Sequence, residues 1–313
     1  MKKAHIWLPV VLVAQLLILG AIVGKRERIM ANGDVVYLKT MPVDPRDIFR
    51  GDYVVLDYEL VHQAKGVIQN NNISTDNPYL RLQPNKRGVA QLVSVDSNKP
   101  QEGLFIRGFS NTVNYSEIPQ LRLGIEKYFV EQGAGKELEA LRGQAQSWQT
   151  PLEVQVALGE DGTPVITGHR FSPIRTRTRF ADLEDTLPQR DRSPQHLEFS
   201  IENNNLATLS VFDNKIHCGF TLVHAETLRP VSLNRDCSEA ALERTELSAG
   251  ATYQVTIDLS QPQWQVKGQS DPLSLAGVDG AWQGFRLLYR DQSGADDGEQ
   301  IISARFFRRG GID

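Results

Sequence analysis

Cysteine is nearly absent: residues 218 and 237 are the only two in 313, and no Cys-x-x-Cys or His-Glu-x-x-His accompanies them. The six histidines (5, 62, 169, 196, 217, 224) are scattered, so a structural zinc site is not expected. A basic surplus is missing too. The formal net charge is −4, whereas a chain built to neutralise nucleic-acid phosphates carries the opposite balance. Neither Gly-x-Ser-x-Gly nor a phosphate-binding loop occurs. No nucleic-acid partner, cofactor or metal is expected from these absences.

Long apolar runs are confined to one place. Ile6 to Val23 is 18 residues without a charge, interrupted only by Pro9 and Gln15, at the lower end of what spans a bilayer as a helix. It is either an anchor or a signal peptide. No pair of small residues suited to cleavage follows it, and the first cysteine that a lipid could modify is Cys218, so an uncleaved single-pass anchor is favoured. Orientation is contested by the flanking charges: Lys2 and Lys3 precede the run, but Lys25, Arg26 and Arg28 follow it, which leans toward a cytoplasmic C-terminus. Two arguments oppose that count. A long domain translocates largely regardless of a few charges, and Cys218 and Cys237 are close enough in sequence for a disulfide, which persists in an oxidising compartment. The bulk of the chain is therefore placed outside the cytoplasmic membrane, in the periplasm or its equivalent.

The most informative stretch is Gly51-Asp52-Tyr53-Val54-Val55-Leu56-Asp57-Tyr58, approached through Asp44-Pro45-Arg46-Asp47-Ile48-Phe49-Arg50. Pro45 fixes its own φ and Gly51 tolerates positive φ, so two turns bracket a short charged loop. A strand is expected from Tyr53 to Val61. Period-2 alternation puts Val54, Leu56, Tyr58 and Leu60 on its core face, and leaves Asp57 and Glu59 for solvent or for a basic partner such as Arg46 or Arg50. The loop reads as a device that opens a strand; as a binding surface, its candidates are Asp44, Arg46, Asp47, Arg50, Gly51, Asp52, Tyr53, Leu56 and Tyr58.

This octapeptide matches the signature of the GDYXXLXY family of bacterial envelope proteins. A second landmark resembles the same family: Leu123-Gly124-Ile125-Glu126-Lys127-Tyr128-Phe129-Val130-Glu131, followed by Gly133, Gly135 and Glu139. The resemblance continues through Leu152 to Gly168 and covers roughly residues 25–170. Gln132 departs from it, standing where the family has an acidic turn. The resemblance implies an envelope address and, as a possible partner, a multipass membrane protein; it brings no established activity. The segment Phe49 to Val55 behind a membrane anchor also resembles the strand-opening box of membrane signal peptidases. No serine lies between the anchor and the box, so the Ser–Lys dyad of those enzymes is missing and a non-enzymatic protein is expected.

The fold class expected is mainly β: an N-terminal anchor with its flanks (1–28), a barrel-like or sandwich domain (29–170), a polar linker rich in arginine and proline (171–195) and a second β-sandwich (196–313). The first domain is expected to contain one short helix, at Lys136–Gln146 behind the Gly133/Gly135 turn, and a hairpin at Asp161-Gly162. In the linker, Arg175, Arg177 and Arg179 alternate with Ile174, Thr176, Thr178 and Phe180, so its start reads alternatively as an edge strand with one basic face. The run Leu247-Ser248-Ala249-Gly250 ahead of Tyr253 resembles the turn into a late strand of immunoglobulin-like domains. A Cys218–Cys237 bridge would tie a strand to its neighbouring loop.

Other chemistry is thinly represented. His217 beside Cys218 suggests a Cys–His nucleophile, but neighbours on a strand face opposite ways. Asp291 to Glu299 is acidic and glycine-rich like a calcium loop, yet Ser293, Ala295 and Asp296 break the ligand pattern, leaving a hairpin turn. Trp148, Trp264 and Trp282 could form a sugar platform, though single tryptophans in β domains are usually core or rim residues.

Overall fold

Strands dominate the computed structural model, which describes residues 4–41, 53–71, 73, 76–111, 120–130, 143, 146–183, 186, 195–231, 237, 241–264, 284–290, 300–307 and 311–312. The chain opens with helix α1 (Ala4–Asn32). Its apolar residues lie on every side, giving it no core-facing stripe, and it is exposed continuously from Pro9 to Arg28. It is long and apolar enough to cross a membrane. From Pro9 onward, Ile29 is its first buried side chain, packed on Ala157 and Val165. One residue then separates helix from sheet. Gly33 donates its N–H to the Ile29 carbonyl at 2.8 Å, and a Cβ there would meet that carbonyl at 2.6 Å and the Leu158 carbonyl at 2.7 Å.

The first β unit comprises β1 (Asp34–Lys39), β2 (Tyr53–Val55), β3 (Tyr79–Pro84), β4 (Ala90–Asp96), β5 (Leu104–Arg107), β6 (Phe109–Asn111), β7 (Gln120–Arg122), β8 (Lys127–Phe129), β9 (Leu152–Leu158) and β10 (Pro164–Phe171), with helix α2 (Glu59–Asn71). Four antiparallel groupings result: β1-β9-β10, β4-β3-β5, β2-β8 and β6-β7. None of them closes into a barrel among the described residues. They share one core, in which Val36, Leu38, Leu80, Ile106, Val154 and Val156 are all fully buried. Strand β9 is central to its sheet and covered on both faces: Leu152, Val154, Val156 and Leu158 share one, and Glu153 and Ala157 are buried on the other.

The strand expected from Tyr53 to Val61 ends at Val55. Leu56 and Tyr58 still face the core, but the chain turns and enters α2, where Val61 and His62 direct their N–H groups to the Tyr58 carbonyl at 3.0 and 3.4 Å. Past the turn the buried positions Leu60, Val61, Ala64 and Ile68 follow a helical spacing. Residues 120–129 do not run as one strand but divide into β7 and β8 around Gly124, whose φ is +81°. The helix expected at Lys136–Gln146 lies outside the described residues apart from Gly143 and Gln146.

The second β unit comprises β11 (Ile174–Phe180), β12 (His196–Asn203), β13 (Thr208–Asp213), β14 (Phe220–His224), β15 (Glu243–Ser248), β16 (Thr252–Asp258), β17 (Phe285–Arg290) and β18 (Gln300–Ile302), with a 3-10 turn at Pro262–Trp264. Sheets β11-β12-β16, β13-β15 and β14-β17-β18 enclose a core of Phe199, Val211, Phe220, Leu222, Val255, Trp264, Leu287, Tyr289 and Phe306, a sandwich arrangement. Residues 174–180, expected to open a linker, form the edge strand β11 instead, paired along its whole length with β12. Strand β14 starts only at Phe220, because His217 takes a φ of +58° in the turn before it. Cys218, in that turn, is disulfide-bonded to Cys237 with a Cα–Cα distance of 5.9 Å.

The two units touch through β17. Phe285, Leu287 and Tyr289 point into the second core, while Leu288 on the opposite face joins Met41 of the first unit in a buried cluster with Val223, Leu228 and Ile302. Reciprocal backbone hydrogen bonds between Gln149 and Thr176, 2.7 and 2.9 Å, add a second point of contact.

Candidate functional site

Of the candidates in the charged box, Asp44, Arg46, Asp47, Arg50, Gly51 and Asp52 lie outside the described residues. Tyr53 opens β2 opposite Phe129. Leu56 and Tyr58 are buried, and the Tyr58 hydroxyl donates to the Ile125 carbonyl at 2.8 Å. Burial pushes that hydroxyl far above its ordinary pKa, and Glu126 adds to the shift. Neither side chain is presented to a ligand. Both hold the box and the Leu123–Ile125 stretch together in one core.

Beside them the structure assembles a polar site that alternation did not foretell. Asp57, expected to meet solvent or an arginine of the box, is half-buried, with its two carboxylate oxygens 2.7 and 2.8 Å from Nε2 of His62. His62 is 3 % exposed. Its Nδ1 lies 3.0 Å from the backbone carbonyl of Glu226 in the second unit. Each ring nitrogen therefore faces an acceptor oxygen, one from each β unit. Burial works to raise the pKa of Asp57, but hydrogen bonding and charge from His62, with Lys65 and Arg286, hold it below the ordinary value. Gln63 of α2 bonds Gln300 Oε1 at 3.1 Å, and Lys39 donates to the Gln300 carbonyl at 2.7 Å. Chemically this is a clamp between two β units. A histidine acting as general base needs a nitrogen free for the nucleophile's proton, and both nitrogens of His62 are engaged. The only signal for this site in the sequence is the helical spacing after Tyr58, which turns His62 toward Asp57.

A second polar assembly stands at the foot of α1. Lys25 Nζ is 2.8 Å from Asp161 Oδ2, and Arg28 is 3.7 Å from Glu160, both acids in the Asp161-Gly162 hairpin that joins β9 to β10. The Lys25 hydrogen bond, opposed weakly by burial and aided by Thr163, pulls Asp161 down to a pKa of about 2. These residues, with Asn32, Asp34 and the segment Lys99–Phe105, line a cleft of about 510 Å³.

A third group is internal. Glu153 of β9 is fully buried, bonded by Arg87 and by Arg170, the latter at 2.7 Å. The Arg170 guanidinium lies 3.6 Å above the Tyr37 ring. Burial opposes ionisation of Glu153, yet Arg87 and Arg170, with Lys39 behind them, hold its pKa below the ordinary value. Each carboxylate oxygen is satisfied, as a buried charge requires.

The remaining sequence candidates separate. The arginines of β11 do form one face, but Arg175 pairs with Glu202 at 2.7 Å and Arg179 with Glu198 at 2.5 Å, both across the β12 register, while Arg177 lies 4.9 Å from the Trp148 ring. Trp264 is buried in the second core and Trp282 is outside the described residues, so Trp148 and Trp264 form no shared platform. The Cys218 sulfur is bonded to Cys237 and is therefore no thiolate partner for His217, which instead bonds Asp213 at 2.9 Å. Asp291 to Glu299 lies outside the described residues. Among the described residues no cluster of three metal-ligating side chains occurs.

Residues 15–168 match the family model described as GDYXXLXY protein. No curated protein matches the chain, and no solved structure does. The match begins inside α1 and ends in β10, so it takes in the later part of the helix, the foot of the sheet and the Asp57–His62 pair, and stops before the second unit.

Proposed function

We propose that this chain, a GDYXXLXY domain extended by a second β unit, is a membrane-anchored extracytoplasmic binding or scaffolding protein of the cell envelope and not an enzyme. The observation that carries the reading is the continuity of α1 with the first sheet. An apolar helix exposed on all sides requires an apolar environment of its own, and a single residue, Gly33, joins it to β1. A signal sequence destined for removal needs no such seating, whereas Ile29, Lys25 and Arg28 all engage the β9–β10 hairpin. The Cys218–Cys237 bridge supports an oxidising compartment. The family resemblance points to a multipass membrane protein as partner. No observation favours the peptidase-like alternative.

A reporter fused after Asp313 tests the topology: alkaline phosphatase is expected to be active and a cytosolic fluorescent reporter dark. The reverse pattern overturns the reading. Capture of partners from detergent-solubilised membranes with the full chain, followed by exchange of the box residues Arg46, Arg50 and Asp52 for alanine, tests the binding role.

A further inference from the structure

The cleft at the foot of α1 sits where a bilayer's polar layer would be. Val23 ends the apolar run and Lys25 is the first charge beyond it. Lys25, Arg28, Ile29 and Asn32 share one helix face, and the rise from the first to the last is about 10 Å, enough to cross the interfacial layer outside a hydrocarbon core. Opposite that face stand the 99–105 segment and the hairpin at Gly159–Asp161. The volume, about 510 Å³, falls within the range of small-ligand sites.

The charges lining the cleft divide into two groups. Lys25 and Arg28 are matched by Asp161 and Glu160. Lys99, Glu102 and Asp34 have no ion-pair partner among the described residues; Lys99 lies 5.9 Å from the Phe105 ring. One unmatched cation beside two unmatched carboxylates complements a ligand with one anionic and one cationic end. A quaternary ammonium is held best by a cage of aromatic rings, and among the described residues Phe105 is the only aromatic lining this cleft. Carboxylates instead accept hydrogen bonds from a primary ammonium.

We propose that this cleft binds the headgroup of a zwitterionic aminophospholipid of the phosphatidylethanolamine type, with Lys99 on the phosphodiester and Glu102 and Asp34 on the ammonium. The proposal rests on the anchored reading of α1. Bound there, the lipid fastens the foot of the first sheet to the bilayer surface beside the helix.

Native mass spectrometry of the full chain, released from detergent with equal amounts of phosphatidylethanolamine, phosphatidylcholine and phosphatidylglycerol, tests it. One phosphatidylethanolamine per chain is expected to be retained in preference to the other two. Lys99→Ala is expected to weaken retention of phosphatidylethanolamine and phosphatidylglycerol alike by about tenfold, whereas Glu102→Gln with Asp34→Asn weakens only the former, by a similar factor. Thermal midpoints measured on each variant separate lost binding from lost folding, and either variant alone suffices if the other does not fold. Equal retention of the three lipids overturns the proposal, as does retention indifferent to both variants. The intact mass in the same spectra keeps two failures apart: a mature chain lacking residues 1–23 overturns the anchor and the headgroup site together, while an intact chain without lipid preference overturns the site alone.

Discussion

Gly66 of α2 lies directly against the backbone carbonyl of Thr227, so close that a Cβ at position 66 has no space. The helix of the first β unit and the 224–229 turn of the second meet there backbone to backbone, one turn along α2 from the contact between His62 and the Glu226 carbonyl. Exchange of Gly66 for alanine therefore sets two effects against each other. Helix propensity favours alanine by about 1 kcal/mol, but overpacking against an immovable carbonyl costs about 1–3 kcal/mol. The steric effect is expected to win. Urea unfolding should show Gly66→Ala less stable than the parent, with proteolytic cleavage rising between the two units; a stabilised variant would show that the joint yields freely.

Acid should loosen the same joint. The folded pKa of Asp57 is depressed, so its contribution is fully present above the ordinary value of 3.8 and is lost as pH falls from there through the lower folded value. Asp57→Asn is expected to lower the unfolding midpoint at neutral pH, and the gap from the parent should close progressively below pH 3.8. A gap independent of pH would remove the carboxylate from the clamp.

Tyr58 and Leu56 make a separate forecast for the family signature. Tyr58→Phe leaves the Ile125 carbonyl without its donor and should cost about 1–3 kcal/mol; Leu56→Ala should cost about 2–5 kcal/mol. Both losses should appear in the first β unit, followed by the near-ultraviolet signal of its tyrosines. Variants as stable as the parent would mean that the signature serves something other than this core.

The disulfide supplies a test of compartment. Thiol labelling of the unfolded, unreduced protein from freshly isolated envelopes should find neither Cys218 nor Cys237 free. Replacing both by serine should lower the stability of the second unit by about 3 kcal/mol on the chain-entropy account of a loop this long. Two labelled cysteines in the native membrane would contradict an oxidising location.

How far the sequence carried these conclusions depends on the range of each interaction. The buried face Val54, Leu56, Tyr58 was legible because alternation is a local property, and so was β9, where Leu152, Val154, Val156 and Leu158 alternate with Glu153, Gln155 and Ala157. The Asp161-Gly162 hairpin announced itself by its turn residues. Helix α2 was not legible, because over Val54 to Leu60 the strand period continues smoothly and only Val61, Ala64 and Ile68 break it. The clamp was less legible still. Its partners Glu226, Thr227 and Gln300 stand far along the chain, and no spacing rule relates them to His62. The arginine face of β11 shows the same limit: the carboxylates that pair with Arg175 and Arg179, Glu202 and Glu198, are selected by the register with β12.

Gly33 gives the molecule no swivel. With one residue between helix and sheet, and that residue wedged between the Ile29 and Leu158 carbonyls, the first β unit has no tether on which to roam. In a bilayer the tilt of α1 would become the tilt of the sheet, and any partner would have to approach to within a domain's height of the lipid. Geometry of this kind suits a fixed bracket, one that converts the orientation of a membrane helix into the orientation of a surface above it.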